Sequence, residues 1–289
     1  MWRHLAYLGP PVSLRSLLTD PPHSLYKQAW APRRQRHGTV NADGFGVGWY
    51  ADGDPVPARY RRGGPIWADP SLPDIARVTR SGAVLAAVRS ATPGTAAGEQ
   101  AAAPFGHDRR LFSHNGSLGD WPASAARLAA GGEPAAPDSG IEALLSLEAM
   151  VDSAFLWALV LRRLRAGSPM AAALDGTIAA VEAAGATGRF NFLLTDGRSI
   201  AATACGDTLW YRASPGAVTV ASEPDDDGPG WTEVPDRHVL TATPGRAAAQ
   251  PLAGPAPLTT GPLAAPPAGP PPRRAPSTDS DVSTEGILT

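Results

Sequence analysis

Apolar residues along this chain fall into short runs bounded by Gly- and Pro-rich connections, and each such run predicts a strand. Four occur early, at His4–Leu8, Gly44–Tyr50, Ala83–Ser90 and Leu111–His114. Four more come late, at Arg189–Leu194, Ile200–Cys205, Leu209–Arg212 and Ala217–Ser222, with turn signals at Thr195-Asp196-Gly197 and Ser214-Pro215-Gly216. Between the two groups the period changes to that of a helix. Leu156, Leu159, Val160 and Leu164 share one stripe of Ala154–Leu164, and the alanine-rich Met170–Ala184 predicts a second helix. Strands, then a helical pair, then strands argue against alternating βαβ units. The expectation is an α+β fold, two antiparallel sheets packed together with helices on their outer faces. From Pro251 onward the sequence is proline-rich and almost devoid of large apolar side chains. The expected organisation is one folded domain over 1–250 and a disordered tail over 251–289.

Composition narrows the function. With 25 Lys and Arg against 27 Asp and Glu, the net charge of −2 fits neither a polycationic nucleic-acid binder nor an acidic tail protein. The single cysteine, Cys205, excludes an internal disulfide framework, a cysteine zinc site and an iron–sulfur cluster. Its place within an apolar strand suits a small buried hydrophobe. The six histidines show no H-x-x-x-H pairing, so no metal site is expected. Asp225-Asp226-Asp227-Gly228 lacks the alternate spacing of a calcium loop and reads as a solvated acidic turn. Neither a signal-peptide apolar stretch at the start nor a run of about 18 apolar residues elsewhere is present, which leads to the expectation of a cytoplasmic protein without a membrane partner.

Four places could carry chemistry, and each has a plainer reading. Asn41–Tyr50 places glycines at 44, 46 and 48 but does not match a phosphate loop; the glycines suit a strand face closely approached by another backbone or a ligand. Arg89 ends an apolar run, where a guanidinium suits a bidentate carboxylate contact or is simply a solvated strand end. His114-Asn115-Gly116 contains the Asn-Gly pair of a tight hairpin, or else offers an amide and a backbone N–H to one oxygen. Asp152 and Ser153 are standard helix N-caps, or Asp152 is a carboxylate held to accept an ammonium group.

Taken in order, Arg3-His4-Leu5, Asn41–Gly46, Arg89-Ser90-Ala91-Thr92, His114-Asn115-Gly116, Asp152-Ser153 and Ser222-Glu223-Pro224 resemble class II glutamine amidotransferase domains. The longer stretches His4–Leu25, Ala31–Tyr50 and Gly230–His238 resemble the free-standing hydrolases of that family in ergothioneine biosynthesis. The likeness covers about residues 1–245, and no synthase domain follows. It implies a four-layer αββα sandwich of the N-terminal-nucleophile type. It also implies hydrolysis of a small-molecule γ-glutamyl amide, γ-glutamyl-hercynylcysteine S-oxide, without a cofactor. In that family Met1 is removed and residue 2 is a cysteine. Its thiolate attacks the γ-amide carbonyl, with its own α-amino group as base. By the same resemblance Asn115 and Gly116 match the oxyanion donors. Arg89 matches the holder of the glutamyl α-carboxylate, Asp152 faces the α-ammonium, and Thr92 and His114 complete the substrate-contacting set.

At the nucleophile position this chain has Trp2. Cysteine and tryptophan codons differ by one base. An indole offers no usable nucleophile, it is too large for removal of Met1 to be expected, and it would tend to fill the acyl pocket. Three readings stay open: a γ-glutamyl amide hydrolase impaired or inactivated by Trp2, a non-catalytic γ-glutamyl-binding protein, and a general glutaminase. The quaternary ammonium of the implied substrate suits an aromatic face. Trp30, Trp49, Tyr50 and Trp67 could supply one, although core packing is the expected role of each.

Overall fold

Strand β1 (Trp2–Ser13) organises the molecule, because its period of two divides its side chains between two buried faces. Leu5 and Tyr7 join one apolar cluster, while Ala6 and Leu8 join another. The computed structural model describes residues 2–253 other than 39, 92–94, 96, 131–143 and 146. The tail expected over 251–289 lies mostly outside the described residues, as does Thr92.

After β1 come helices α1 (Leu14–Leu18) and α2 (Leu25–Gln28), then β2 (Phe45–Trp49), β3 (Ala58–Arg62), α3 (Leu72–Val78) and β4 (Arg80–Arg89). Next are β5 (Phe105–His107), β6 (Arg110–Leu118), α4 (Ala123–Ala130), α5 (Asp152–Arg165) and α6 (Met170–Ala183). The remainder is β7 (Gly188–Thr195), β8 (Ile200–Ala204), β9 (Trp210–Ser214), β10 (Ala217–Ala221), β11 (Thr232–Glu233), β12 (His238–Thr243) and β13 (Arg246–Pro251). Two sheets form, ordered β11-β9-β10-β1-β4-β2-β3 and β13-β12-β8-β7-β6-β5, and every pairing is antiparallel. They stack face to face, with β1 and β4 over β6.

Three clusters give the layers their cohesion. Leu8, Leu85, Leu111, Leu193, Val220 and Leu240 fill the gap between the sheets. Leu5, Phe45, Val47, Val84 and Val88 bury the outer face of the larger sheet under α1, α2 and α3. Phe112, Phe190 and Phe192 do the same for the smaller sheet under α5 and α6. The result is the expected αββα sandwich.

Three expectations change. Asn115 and Gly116 form no hairpin; both lie inside β6, which runs on to Leu118. The acidic turn is ion-paired and partly buried: Asp226 takes two contacts from Arg212 at 2.8 Å, and Asp225 is buried beside them. Trp30 and Trp67 are 36% and 38% exposed and meet edge to face at 5.5 Å, whereas Trp49 and Tyr50 pack at cluster margins. The glycines of β2 behave as expected of a closely approached face. A Cβ on Gly46 would collide with the Ala103 carbonyl oxygen, and one on Gly48 would lie 2.6 Å from Leu111 Cδ1. Near the end of the described residues, Leu252 is buried and donates its N–H to the Arg237 carbonyl.

Among the described residues no helix is long and apolar enough to cross a membrane.

Candidate active site

The start of β1 and the end of β4 are in register, so Trp2 stands opposite Arg89. Beneath them, the odd-numbered residues of β6 face the gap: Leu111 belongs to the inter-sheet cluster, and period two brings Ser113 and Asn115 to the same side. The structure therefore gathers Trp2, Arg89 and Asn115 at one end of the gap, although they are far apart in sequence.

The backbone N–H of Trp2 donates to Asn115 Oδ1 at 3.3 Å. This contact fixes the orientation of the amide and leaves Nδ2 directed into the gap, where its partner is Ser222 Oγ at 3.5 Å. Gly116 supplies a second donor through strand geometry. Gly119 N–H bonds the Thr187 carbonyl on the β7 side, whereas Leu118 N–H bonds Asp152 Oδ2 on the opposite edge. Alternation along an antiparallel ladder turns Gly116 N–H the same way as Leu118 N–H, toward the edge that β5 leaves open beyond Phe112. A side chain at 116 is excluded, since its Cβ would strike the Arg189 carbonyl.

Arg89 is 2% exposed and runs across the gap face. Its Nη1 donates to the Asp43 carbonyl at 3.2 Å and its Nη2 to Thr95 Oγ1 at 3.1 Å. Burial pulls its pKa below the ordinary value, and the carboxylates of Asp43 and Asp152 counter that pull. Asp43 also takes Ala91 N–H at 2.7 Å and donates its own N–H to the Arg89 carbonyl at 2.8 Å, so it fixes the backbone at and just after Arg89. Asp152 opens α5 but is not its cap residue, which is Val151. Its oxygens accept from Leu118 N–H and Ser153 N–H at 2.9 and 2.8 Å, which ties the helix start to the open edge of β6. A carboxylate has about four acceptor sites, so capacity remains for an ammonium group.

His114 faces the other way. It packs against Phe190 and Phe192, its Nε2 donates to the Arg189 carbonyl at 2.8 Å, and Ser153 Oγ meets its Nδ1 at 2.9 Å. Desolvation holds it neutral below its ordinary pKa. It anchors the start of α5, next to Asp152, from the helix side of the sheet.

Trp2 itself is 4% exposed. Its indole lies 6.4 Å from the Phe105 ring and has the Arg89 guanidinium over it at 5.7 Å. Cys205 follows β8, where its N–H donates to Asn191 Oδ1 at 3.0 Å, and its buried thiol is pushed up to about 11 by desolvation. Asp43, Thr95, Ser113 and Ser222 carry no role in the sequence pattern, and Ser153 carries only that of a helix cap. Asp43, Ser153 and Ser222 stand inside resembling motifs, whereas nothing local marks Thr95 or Ser113, the latter meeting His4 from a distant strand.

The fold is an αββα sandwich with Trp2, Arg89 and Asn115 gathered at one end of the gap between its sheets. Residues 18–227 match the family described as glutamine amidotransferases class-II, and the chain belongs to that family of enzymes. It is 41% identical over 253 residues to the gamma-glutamyl-hercynylcysteine sulfoxide hydrolase of Mycolicibacterium smegmatis, covering 87% of this chain and 100% of that relative. A glutamine aminotransferase class-II domain protein from Silicibacter pomeroyi has a solved structure with TM-score 0.61 and 26% identity, over 87% of this chain and 99% of its own. The glutamine phosphoribosylpyrophosphate amidotransferase of B. subtilis shares the fold, at TM-score 0.59 and 15% identity over 87% of this chain and 49% of its own.

Proposed function

We propose that this chain is built to hydrolyse the γ-glutamyl amide of γ-glutamyl-hercynylcysteine S-oxide, releasing glutamate, and that Trp2 stops the reaction. The observation that carries the proposal is the position of the indole, buried between the Phe105 ring and the Arg89 guanidinium. The named relative supports the substrate, and the arrangement of Arg89, Asp152, Asn115 and Gly116 supports the chemistry.

With cysteine at position 2, the thiolate would attack the γ-carbonyl from the start of β1. Asn115 Nδ2 and Gly116 N–H would take the developing oxyanion. The Arg89 guanidinium would fork onto the glutamyl α-carboxylate, and Asp152 would accept from the α-ammonium. Protonated on its nitrogen, the amine would leave, and water would then free glutamate from the thioester. Thr92 keeps its place in this set by resemblance alone. His114 acts through Ser153 and the start of α5.

Trp2 opposes every part of that sequence. It supplies no nucleophile, and because Met1 precedes it in this sequence its nitrogen is a peptide N–H and not an amine base. Returning a buried indole to water loses roughly 4–6 kcal/mol. That is the whole binding free energy of a ligand with Kd between about 1 mM and 40 µM. A γ-glutamyl compound of ordinary affinity therefore does not displace it, which disfavours a γ-glutamyl-binding role for the chain as it stands.

Trp2→Cys is expected to release glutamate from γ-glutamyl-hercynylcysteine S-oxide, once intact mass has verified loss of Met1, while the parent chain releases none. Failure of the processed variant to hydrolyse any γ-glutamyl amide refutes the proposal. Equal turnover of free glutamine would make it a general glutaminase.

A further inference from the structure

The strand order gives the site two sides, and the two groups assigned to the glutamyl half, Arg89 and Asp152, share one of them. Arg89 comes from β4 and Asp152 meets the open edge of β6, so both lie toward β2 and β5. On the other side of the Trp2–Asn115 axis, toward β10 and β8, stands Arg189 of β7. It pairs with Ser117 and is thus diagonal to Asn115, about 7–8 Å away in sheet geometry and within reach of a long side chain. Period two places it on the gap face with Asn191 and Leu193, the last of which belongs to the inter-sheet cluster.

The guanidinium is held, yet it keeps donors to spare. Its Nε donates to Asp207 Oδ2 at 3.0 Å, and its side chain is 20% exposed against 3% for that of Asp207. Asp207 is fixed in turn, its N–H donating to Asn191 Oδ1 at 3.1 Å. The stem crosses Gly206, where a Cβ would sit 2.8 Å from Arg189 Cγ. A closed structural pair would engage a carboxylate with both prongs of the guanidinium. Here a single Nε contact is made, and the two terminal nitrogens bond nothing among the described residues. The loop carrying His37 sits close enough for Arg189 to depress the His37 pKa, after desolvation the largest influence on that ring. That loop is pinned at this end by Glu223, which accepts Arg33 N–H at 3.0 Å and Arg34 N–H at 2.6 Å.

We propose that Arg189, oriented by Asp207, is the leaving-group subsite, where it binds a carboxylate carried on the amine side of the scissile bond. The inference rests on the γ-glutamyl reading, which assigns Arg89 and Asp152 to the acyl half and leaves the β7 side for the departing amine. The substrate class it selects is the γ-glutamyl amide of an α-amino acid, as distinct from glutamine or a γ-glutamyl alkylamine. The carboxylate of such an amine is one carbon from the scissile nitrogen, and the terminal prongs of Arg189 match it in planarity and charge.

The test uses two ligands that differ only in that carboxylate, γ-glutamylglycine and γ-glutamylmethylamide, titrated by calorimetry into the full chain carrying Trp2→Ala. γ-Glutamylglycine is expected to bind roughly 10–100-fold more tightly. Arg189→Gln is expected to erase the difference while methylamide affinity holds, and Arg189→Lys to keep part of it. Equal affinities in the parent, or a preference that survives Arg189→Gln, overturns the inference. Absence of binding by either ligand instead refutes the γ-glutamyl reading, and the subsite with it. Methylamide binding doubles as the check that a variant is folded. Should Arg189→Gln fail that check because Asp207 is left buried and unpaired, Arg189→Gln with Asp207→Asn removes both charges together. In Trp2→Cys, the same ligand pair compared by kcat/KM gives an independent reading, with the same outcomes deciding.

Discussion

At the scale of single residues, the site depends on which way a few polar atoms are turned. Asn115 accepts from residue 2 through Oδ1, so in the proposed reaction its amide nitrogen is the atom left for an oxyanion. In the Trp2→Cys background, Asn115→Ala should therefore lower kcat about 10²–10³-fold. Steady-state kinetics at saturating substrate checks this, and an effect confined to KM would remove Asn115 from the oxyanion role. His4 shows a different constraint. It is completely buried, its Nδ1 meets Ser113 Oγ at 3.1 Å across the gap, and its Nε2 has no partner among the described residues. Such a ring is tolerated only neutral, because charging it would place an ion inside the sandwich.

At the scale of elements, close packing decides where substitutions fail. Gly116 lies against the Arg189 carbonyl, and a Cβ there would also come within 2.6 Å of His114 Nε2. Gly116→Ala is expected to cost about 3 kcal/mol and lower the melting temperature by about 6–12 °C, measurable by thermal denaturation. A change under 1 °C would mean that β6 and β7 separate easily. Packing also explains what the sequence could and could not reveal. The central strands were legible because both their faces are buried, as in Ala83–Val88, and α5 because of its stripe of leucines. Edge strand β3 was not, since three of its five residues are arginines and only Tyr60 packs against an apolar cluster. Strand β13 escaped notice because a run of alanines and a proline carries no strand signature. Of the two readings of Asn115-Gly116, the hairpin failed for a physical reason. The glycine serves contact with a neighbouring strand and not a turn, and only the partner strand, more than seventy residues later, distinguishes the two. Arg89 and Asp152 stood out by chemistry, whereas Arg189 looked like an ordinary strand residue until Asp207 and Gly206 were seen beside it.

At the scale of the whole molecule, the two sheets share buried histidines, so the sandwich responds to acid as a unit. Desolvation lowers the His4 pKa to about 3 from an unfolded value of 6.5, and His114 shifts in the same direction. Between those limits the unfolded chain binds protons that the folded chain refuses. Stability is therefore fully held above about pH 6.5 and declines as pH falls, by up to about 1.4 kcal/mol per pH unit for each such histidine. Thermal denaturation from pH 8 to pH 4 should show a plateau followed by a descent. His4→Gln should make the descent shallower, and an unchanged slope would assign it to other groups. A last consequence concerns time. β1 is the earliest described strand to be synthesised, yet His4 N–H waits for Ser222 Oγ, 218 residues later. At the ordinary pace of translation that interval is about 10–40 s. Throughout it β1 lacks its β10 partner, so one edge of the strand that organises both sheets stays uncovered until most of the chain has been made.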